Sequence, residues 1–256
     1  MSEVPGEGDE ADTVIVGGGS AGCVLANRLS ADPRRRVVLL EAGGTNEALW
    51  VKIPAGMHSV VSQPTRNWFR ASEPDPSVNG RSLLWFAGKG LGGGSAINGM
   101  VYIRGARYDY DRWAAQGCTG WSWDEVLPYF KRSEHFDGPD SQWHGKGGEF
   151  GVSQLRATLP LTHDFIQACA DNGVGQVEEY CSGDIDGVYV NYATQRNGQR
   201  ASTAEAFLKP AMDRPNLRVV TGAMVDRVLL GGLGVRLYPC PSLSRASQTL
   251  SARRMA

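Results

Sequence analysis

The sequence lacks the features that define several large classes of protein. No apolar run approaches the roughly 20 residues of a membrane-spanning helix. Neither sign of charge dominates, since 26 lysines and arginines nearly balance 27 aspartates and glutamates, which argues against nucleic acid or an acidic membrane surface as a partner. The five cysteines form no CxxC pair, which argues against a disulfide framework and a zinc knuckle. We therefore expect a protein of the reducing cytoplasm that acts on small molecules.

Both ends of the chain lack the patterns of folded elements. Residues 1–11 are polar and acidic, without the apolar segment of a secretory signal, and we expect a disordered leader there. Residues 236–256 have no hydrophobic period and no acidic residue, so they predict a non-globular tail.

Glycine, in contrast, is abundant at 33 residues, and it is concentrated in a few clusters. The first cluster, Gly17–Gly22, fits the pattern G-x-G-x-x-G. It follows the β-branched run Thr13–Val16, precedes a helical pattern, and leads to the continuous apolar run Val37–Leu40. A strand, a helix and a second strand within residues 12–41 predict the β-α-β unit of a dinucleotide-binding fold.

Each conspicuous residue of this unit has a physical role in such a site. Gly17 permits the tight turn, Gly19 lets the backbone approach a pyrophosphate, and Gly22 lets helix and strand pack closely. Ser20 can cap the helix, whose N-terminus attracts the pyrophosphate. Glu41 ends the second strand 19 residues after Gly22, where an acidic side chain accepts hydrogen bonds from ribose hydroxyls and disfavours NADP.

Two other enzyme classes share parts of this pattern. Residues Gly18–Gly22 also fit G-x-S-x-G, the nucleophile elbow of hydrolases, but an elbow serine needs an earlier strand and loop for its oxyanion hole, and only the acidic leader precedes Thr13. From residues 12–41 alone, an NAD-dependent dehydrogenase remains open.

A second glycine-rich stretch decides between cofactors. Residues Gly88–Gly99 are too rich in glycine for a core element and suggest a backbone loop against a flat ligand. Here the chain resembles the glucose-methanol-choline (GMC) oxidoreductases, whose first signature fits from Gly88 through Asp111. Further similar landmarks are EAGG at 41–44, WSWDEVLPYFKRSE at 121–134, HGKGG at 144–148 and a long stretch at 201–228. The resemblance is strongest to the choline-dehydrogenase-like branch and covers about 12–230.

The resemblance implies an α/β fold with a Rossmann-type FAD-binding domain and the beginning of an α+β substrate domain, the C-terminal half being absent. The FAD-binding domain would comprise 12–155 and 186–235, and the substrate domain would begin at 156–185. It further implies the following cofactor-binding residues: Gly17, Gly19, Ser20, Ala21, Gly22, Glu41, Ala42, Gly92, Gly93, Ser95, Asn98, Gly99, Met100, Val101 and Val225. Some relatives attach the flavin through a histidine, and because Ile97 stands at that position, we expect non-covalent FAD.

The implied activity is oxidation of the CH–OH group of a small alcohol, with hydride transfer to flavin N5 and oxygen or a quinone as the electron acceptor. The family's general base is a histidine near the C-terminus of a chain at least twice as long, and neither it nor the second family signature is present. We therefore expect a truncated form, inactive alone, with no catalytic residue and no metal site of its own. A lyase on the same scaffold and a non-catalytic remnant are the alternatives.

Two groups of aromatic and titratable residues invite a functional interpretation, but structural roles are favoured for most of them. The histidines His58, His135, His144 and His163 are expected to be surface or structural residues. The tryptophans Trp113, Trp121 and Trp123 fit a flavin wall and a packed core about equally.

Local patterns predict the remaining elements. Residues 45–81 indicate mostly loop with short helical pieces. Helices are predicted at Trp123–Glu134, Thr162–Asn172 and Ser202–Met212, and strands at Val188–Tyr192, Leu217–Thr221 and Val225–Leu230.

Overall fold

The structure, a computed structural model, describes residues 10–231, 234–239 and 250–253. These residues form two compact units: the first contains the described residues up to 99 and from 202 onward, and the second contains residues 100–201. Within the described residues, no helix combines the length and the apolar character needed to cross a membrane.

The regular elements of the described residues are mostly short. The helices are, in chain order, α1 (Ser20–Leu29), α2 (Leu49–Lys52), α3 (Met57–Val61), α4 (Arg107–Ala115), α5 (Trp123–Ser133) and α6 (Pro160–Asp171). The strands are β1 (Glu10–Ala11), β2 (Thr13–Val16), β3 (Val37–Glu41), β4 (Arg70–Ala71), β5 (Leu84–Trp85), β6 (Val101–Tyr102), β7 (Glu134–Asp137), β8 (Phe150–Ser153), β9 (Tyr192–Ala193), β10 (Gln195–Arg196), β11 (Gln199–Arg200), β12 (Leu217–Thr221), β13 (Val225–Gly231), β14 (Gly234–Pro239) and β15 (Leu250–Arg253).

The first unit is built on a three-stranded parallel sheet in the order β12-β3-β2. In register, Val37 lies between Thr13 of β2 and Leu217 of β12. Strand β3 is central, and all five of its residues are buried. Parallel sheets are normally covered on both faces, and a continuous apolar run is the sequence that such a strand needs.

Alternate residues of β3 enter two separate hydrophobic clusters. Val37 and Leu39 pack with Ile15, Cys23 and other residues of one cluster, which also contains Ala26 of α1. Val38 and Leu40 pack with Ala11, Val220 and Ala223 on the opposite face. Because successive side chains of a strand point to opposite faces, β3 joins both halves of this core.

A second sheet of the first unit has the order β1-β15-β14-β13. Strands β13, β14 and β15 pair antiparallel in succession, and β1 runs parallel to β15. A short antiparallel hairpin, β4 with β5, completes the strands of this unit.

The second unit contains a four-stranded mixed sheet in the order β6-β9-β8-β7 and the β10-β11 hairpin. Its core includes Phe136, Val152, Tyr180 and Tyr192. The segment 156–185, predicted to open a substrate domain, lies inside this unit together with the rest of residues 100–201. Its assignment to a substrate domain stays a prediction.

Several predicted elements are confirmed. Helix α1 and strands β2 and β3 form the predicted β-α-β unit, and β12 has the predicted bounds Leu217–Thr221. Helix α5 begins at Trp123 with a reciprocal capping box between Ser122 and Glu125. Helices α2 and α3 are the short helical pieces expected within 45–81.

The predictions for the two ends of the chain need correction. Residues 1–9 of the expected leader lie outside the described residues, but Glu10 and Ala11 form β1, and Ala11 is fully buried. Within the expected non-globular tail, 240–249 and 254–256 lie outside the described residues, whereas the described parts lie in β14 and β15. β1 pairs with β15 at the other end of the chain, and such distant partners leave no local pattern, whereas β14 forms a hairpin with the adjacent β13.

Three local predictions were also inexact. Gly19 is the N-cap of α1, so Ser20 is the first helical residue and makes no side-chain cap. The strand predicted at Val188–Tyr192 is wrong except at its last residue: β9 is Tyr192–Ala193, and Val188 forms only an isolated bridge with Gln176. The helix predicted at Ser202–Met212 is a π-helix at Ala204–Leu208 followed by a 3-10 turn at Lys209–Ala211, because Pro210 has no N–H to donate within a regular helix.

Candidate functional site

The first glycine turn joins β2 to α1, and its backbone excludes side chains at two positions. Gly17 has a φ of +94°, a left-handed conformation that favours glycine, and its N–H donates to Leu40 O at 2.8 Å. A Cβ on Gly22 would lie 1.9 Å from Gly17 O. Both glycines are therefore required by the turn itself, as the sequence predicted.

The N-terminus of α1 is open where the turn ends. The N-cap residue is Gly19, so no side chain caps the helix, and the first turn of the helix contains no acidic residue. Ser20 and Ala21 are exposed, and a Cβ on Gly19 would meet no atom within 4 Å. The first N–H groups of a helix have no intrahelical partner, and the helix dipole makes this end positive. The arrangement can receive an anionic group against the backbone.

The second glycine-rich segment lies directly on the first. The Gly92 N–H donates to Gly18 O at 2.8 Å, and Gly92 has a φ of +88°. A Cβ on Gly93 would lie 2.8 Å from the Cα of Gly19. The two glycine clusters, about 70 residues apart in the sequence, therefore pack backbone against backbone, which side chains would prevent.

Glu41 holds this junction together. Its Oε2 accepts a hydrogen bond from Gly18 N at 2.6 Å, and its Oε1 accepts from Gly43 N at 2.7 Å and from Gly90 N at 2.9 Å. The residue is only 6% exposed. A carboxylate has about four acceptor positions, so one position on Oε2 is left for a further donor.

Two residues that the sequence did not single out support the second loop from the other side. Asn46, with a φ of +58°, donates from Nδ2 to Leu91 O at 2.9 Å. Arg66 donates to Asn46 Oδ1 at 2.6 Å. Asparagine tolerates the left-handed conformation. Apart from that preference, nothing in the sequence EAGGTN indicated that Asn46 would contact the second loop.

Ser95 lies at the base of the second loop and contacts a residue far along the chain. Its Oγ donates to Gly92 O at 2.6 Å and lies 3.0 Å from Thr203 Oγ1. The Thr203 N–H donates to Ser95 Oγ at 3.0 Å. Thr203 was not predicted as a site residue, because nothing in the sequence linked it to the loop.

The other predicted cofactor residues occupy different environments. Asn98 and Gly99 are exposed at the end of the second loop, and Ala42 and Val225 are half-buried. Met100 and Val101 belong to the second unit. Ile97 is 3% exposed and packs in a cluster with Val51, Val60 and Ala96.

The second unit contains a buried network of charged side chains that the sequence did not predict. Arg104 donates to Glu134 Oε2 at 2.8 Å. The His144 ring lies 2.8 Å from Glu134 Oε1 through Nδ1 and 3.1 Å from Glu179 Oε2 through Nε2. It also stacks on Phe136, with ring centroids 3.7 Å apart. His144 is thus buried in the core, with both ring nitrogens in polar contacts.

The ionisation of this network follows from its contacts. Burial disfavours the charged ring, but hydrogen bonds to Glu134 and Glu179 outweigh burial and raise the pKa of His144. Each ring nitrogen thus faces a carboxyl group. Burial raises the pKa of the Cys181 thiol to about 12, so this neighbouring cysteine is neutral.

The tryptophans considered for a flavin wall separate into two groups. Trp123 is fully buried and packs with Tyr110 and Phe130 at centroid distances of 5.7 Å and 6.4 Å, so its role is core packing. Trp113 and Trp121 are 41% and 53% exposed.

Residues 11–248 match the sequence profile described as GMC oxidoreductase. The match extends beyond residue 230, where the resemblance read from the sequence ended, and it corrects that boundary.

Among curated proteins, an oxygen-dependent choline dehydrogenase of Brucella anthropi is 40% identical over 247 residues, which is 96% of this chain and 44% of the relative. An alcohol dehydrogenase [acceptor] of Pseudomonas putida is 43% identical over 219 residues, covering 85% of this chain and 40% of the relative. The chain thus spans less than half the length of these relatives.

Solved structures agree in fold. Pyridoxine 4-oxidase from Mesorbium loti matches with a TM-score of 0.85 and 34% identity, over 95% of this chain and 48% of that protein. An FAD-dependent oxidoreductase from Chaetomium thermophilum matches with a TM-score of 0.85 and 29% identity, over 94% of this chain and 44% of that protein.

Proposed function

This chain belongs to the GMC oxidoreductase family, and from that premise we propose that its first unit binds FAD non-covalently. We further propose that the whole protein oxidises the CH–OH group of a small alcohol, with oxygen or a quinone as electron acceptor. The observation that supports this most is the contact between the two glycine-rich segments around Glu41, because it leaves a side-chain-free backbone surface next to an open helix N-terminus.

The residues present fit the pyrophosphate of FAD. Gly17, Gly19 and Gly22 form the turn, and the N–H groups at the start of α1, from Gly19 through Ala21, would hold the phosphate oxygens. No acidic side chain stands in the first turn of α1 to repel them. A dianionic linker would therefore be bound by backbone donors and the helix dipole alone.

Glu41 would have two roles in this site. Three of its acceptor positions are already used by the backbone of Gly18, Gly43 and Gly90. The remaining position on Oε2 can accept one hydrogen bond from an adenosine ribose hydroxyl. The side chain would thus position both glycine loops as well as contact the cofactor.

The second loop would contribute backbone and polar groups toward the flavin. Asn98 and Gly99 are exposed, whereas Gly93 and Ser95 are buried and contact Gly19 and Thr203. We therefore assign Gly92, Gly93 and Ser95 mainly to shaping the loop and Asn98 and Gly99 to contact. The roles of Ala42, Met100, Val101 and Val225 stay predictions.

Non-covalent attachment is supported by Ile97. Its apolar side chain offers no nucleophile for a bond to the flavin, and it is 3% exposed in a cluster with Val51, Val60 and Ala96. The position contributes to packing under the loop.

When bound, FAD supplies the chemistry of hydride acceptance at its N5 atom. Removal of the alcohol proton needs a general base from the protein. Of the four histidines in the sequence, His58 alone belongs to the first unit, and it is an exposed residue of α3. We propose that these 256 residues alone bind the cofactor without oxidising alcohol at an enzymatic rate.

The test is calorimetric titration of the 256-residue protein with FAD, ADP and NAD, together with an assay on choline and on a primary alcohol. We expect FAD to bind more tightly than NAD, ADP to compete with FAD, and neither alcohol to be turned over. Tighter binding of NAD would overturn the cofactor assignment. Ordinary turnover of either alcohol would overturn the proposed inactivity.

A further inference from the structure

The second unit contains a cluster of metal-ligating side chains remote in sequence from the glycine-rich loops. Among the described residues, His144, Glu179 and Cys181 offer one nitrogen, one carboxylate oxygen and one sulfur that lie within 4.8 Å of one another. His144 and Cys181 are buried, whereas the Glu179 side chain is 28% exposed. The cluster therefore has a dry interior side and one side that solvent reaches.

The surroundings of His144 match those of a metal-binding histidine. Its Nδ1 lies 2.8 Å from the carboxylate of Glu134, which is itself held by Arg104 and by the backbone N–H of Gly145, each at 2.8 Å. Histidine ligands of metals commonly donate the other ring N–H to a carboxylate, which fixes the tautomer and makes the free nitrogen a better ligand. Here the other nitrogen, Nε2, contacts Glu179.

We propose that His144 Nε2, the Glu179 carboxylate and Cys181 Sγ form a site for a divalent metal ion of borderline softness, Zn²⁺ or a close analogue, with water as the fourth ligand. Three protein ligands and one water in a tetrahedral arrangement are typical of Zn²⁺. The set mixes nitrogen, oxygen and sulfur, which disfavours Mg²⁺ and Ca²⁺, since both prefer oxygen ligands alone. This site is independent of the FAD proposal, and it departs from the expectation, drawn from the sequence, of no metal site.

The charges balance both with and without the ion. Without it, one proton lies in the hydrogen bond between His144 Nε2 and Glu179, and Arg104 is paired with Glu134. With the ion, two positive charges enter while two protons leave: one from between His144 Nε2 and Glu179, and one from the Cys181 thiol. The net charge of this buried region is unchanged, so binding leaves no uncompensated charge in the core.

The geometry requires only a small contraction. Tetrahedral Zn²⁺ with bonds of about 2.0–2.3 Å keeps its ligand atoms roughly 3.3–3.8 Å apart. His144 Nε2 and Glu179 Oε2 are already 3.1 Å apart, so the sulfur has to approach by about 1 Å. Glu179 and Cys181 are two residues apart and already linked, since the Cys181 N–H donates to Glu179 Oε1 at 3.1 Å.

The experiment is a Co²⁺ titration of the 256-residue protein, freed of metal with a chelator and carrying no histidine tag. We expect one Co²⁺ to bind with visible ligand-field bands and a near-ultraviolet thiolate-to-cobalt charge-transfer band, and Zn²⁺ to abolish both. In a weakly buffered solution containing a pH indicator, about two protons should be released per ion. Absence of the charge-transfer band from the wild-type protein would overturn the proposal.

Variants separate this site from binding elsewhere. Cys181→Ser should lose the charge-transfer band and the metal-induced rise in Tm, whereas Cys169→Ser, a half-buried cysteine outside the cluster, should retain both. Glu179→Gln tests the site at a partly exposed position, and it should weaken Co²⁺ binding at least tenfold. Wild-type binding strength in Glu179→Gln, or a retained charge-transfer band in Cys181→Ser, would exclude these residues as ligands.

Discussion

The Glu41 carboxylate, at the end of β3, accepts a hydrogen bond of 2.9 Å from the backbone N–H of Gly90, which lies 49 residues further along the chain. The same carboxylate accepts from Gly18 and Gly43. A single buried side chain therefore fixes the relative positions of the first glycine turn and the second glycine-rich loop. This explains how a surface made mostly of glycine, which is costly to order, is held in one shape.

Glu41→Gln should destabilise the protein by about 2–4 kcal/mol. The carboxamide keeps the size of the side chain but has one acceptor oxygen, and its NH₂ group would face glycine N–H donors. Urea denaturation measures the loss. The matched control is Glu47→Gln, because Glu47 is 55% exposed in a surface pair with Lys52, and it should change stability by less than about 0.5 kcal/mol. Equal effects of the two substitutions would contradict the role assigned to Glu41.

The glycines of the first turn should divide into structural and cofactor-binding positions. Gly22→Ala places a Cβ 1.9 Å from Gly17 O, and we expect a loss of about 2 kcal/mol or more, seen as a lower urea midpoint. The backbone must shift to relieve this contact, so the loss should appear without any cofactor present.

Gly19→Ala should have the opposite effects: it should leave stability intact and weaken FAD binding. Its Cβ meets nothing within 4 Å, and its φ is −72°, so stability should be unchanged or slightly higher. The added methyl would nevertheless occupy the space proposed for the pyrophosphate. Calorimetric titration should show FAD affinity reduced at least tenfold, and undiminished affinity would argue that the phosphates bind elsewhere.

Ser95 and Thr203 should be energetically coupled. Ser95→Ala removes the hydroxyl that joins the second loop to Thr203, and we expect it to cost about 1–3 kcal/mol. A double-mutant cycle with Thr203→Val should give a coupling energy of roughly 0.5–2 kcal/mol. Ser62→Ala, at an exposed site after α3, serves as the control with little expected effect. Strict additivity of the two buried substitutions would show that the contact is not formed.

Cys23 should report on opening of the first unit. It is fully buried beneath the glycine turn, and burial raises the pKa of its thiol, so access and thiolate content are both low. Cys118 is exposed. Iodoacetamide labelling followed by peptide mass spectrometry should therefore modify Cys118 quickly and Cys23 only when the unit opens. FAD should slow labelling at Cys23 without affecting Cys118, and equal labelling rates would contradict the packing of α1.

Much of the site was readable from sequence because its signals are local. G-x-G-x-x-G between a β-branched run and a helical pattern fixes the turn, and the confirmed roles of Gly17 and Gly22 follow from backbone geometry. The apolar run Val37–Leu40 indicated a strand covered on both faces, and the two clusters on β3 confirm it. The family resemblance, carried by Gly88–Asp111, was likewise confirmed by the match over residues 11–248.

Other features depend on partners too distant in sequence for any local pattern to record. The strands β1 and β15, which lie at opposite ends of the chain and pair with each other, are one such case. The same applies to Thr203 beneath the second loop and to the network from Arg104 to Glu179, whose members are ordinary polar residues in their own segments.

The sequence by itself determined the β-α-β turn and the family, because those depend on residue types at fixed short spacings. Tertiary structure alone decided what Glu41 holds. The sequence placed this carboxylate at a ribose, but folding brings the N–H groups of Gly18, Gly43 and Gly90 within hydrogen-bond distance of it. A buried carboxylate is stabilised by donors wherever the fold supplies them, and here two of the three donors come from the glycine loops that it joins.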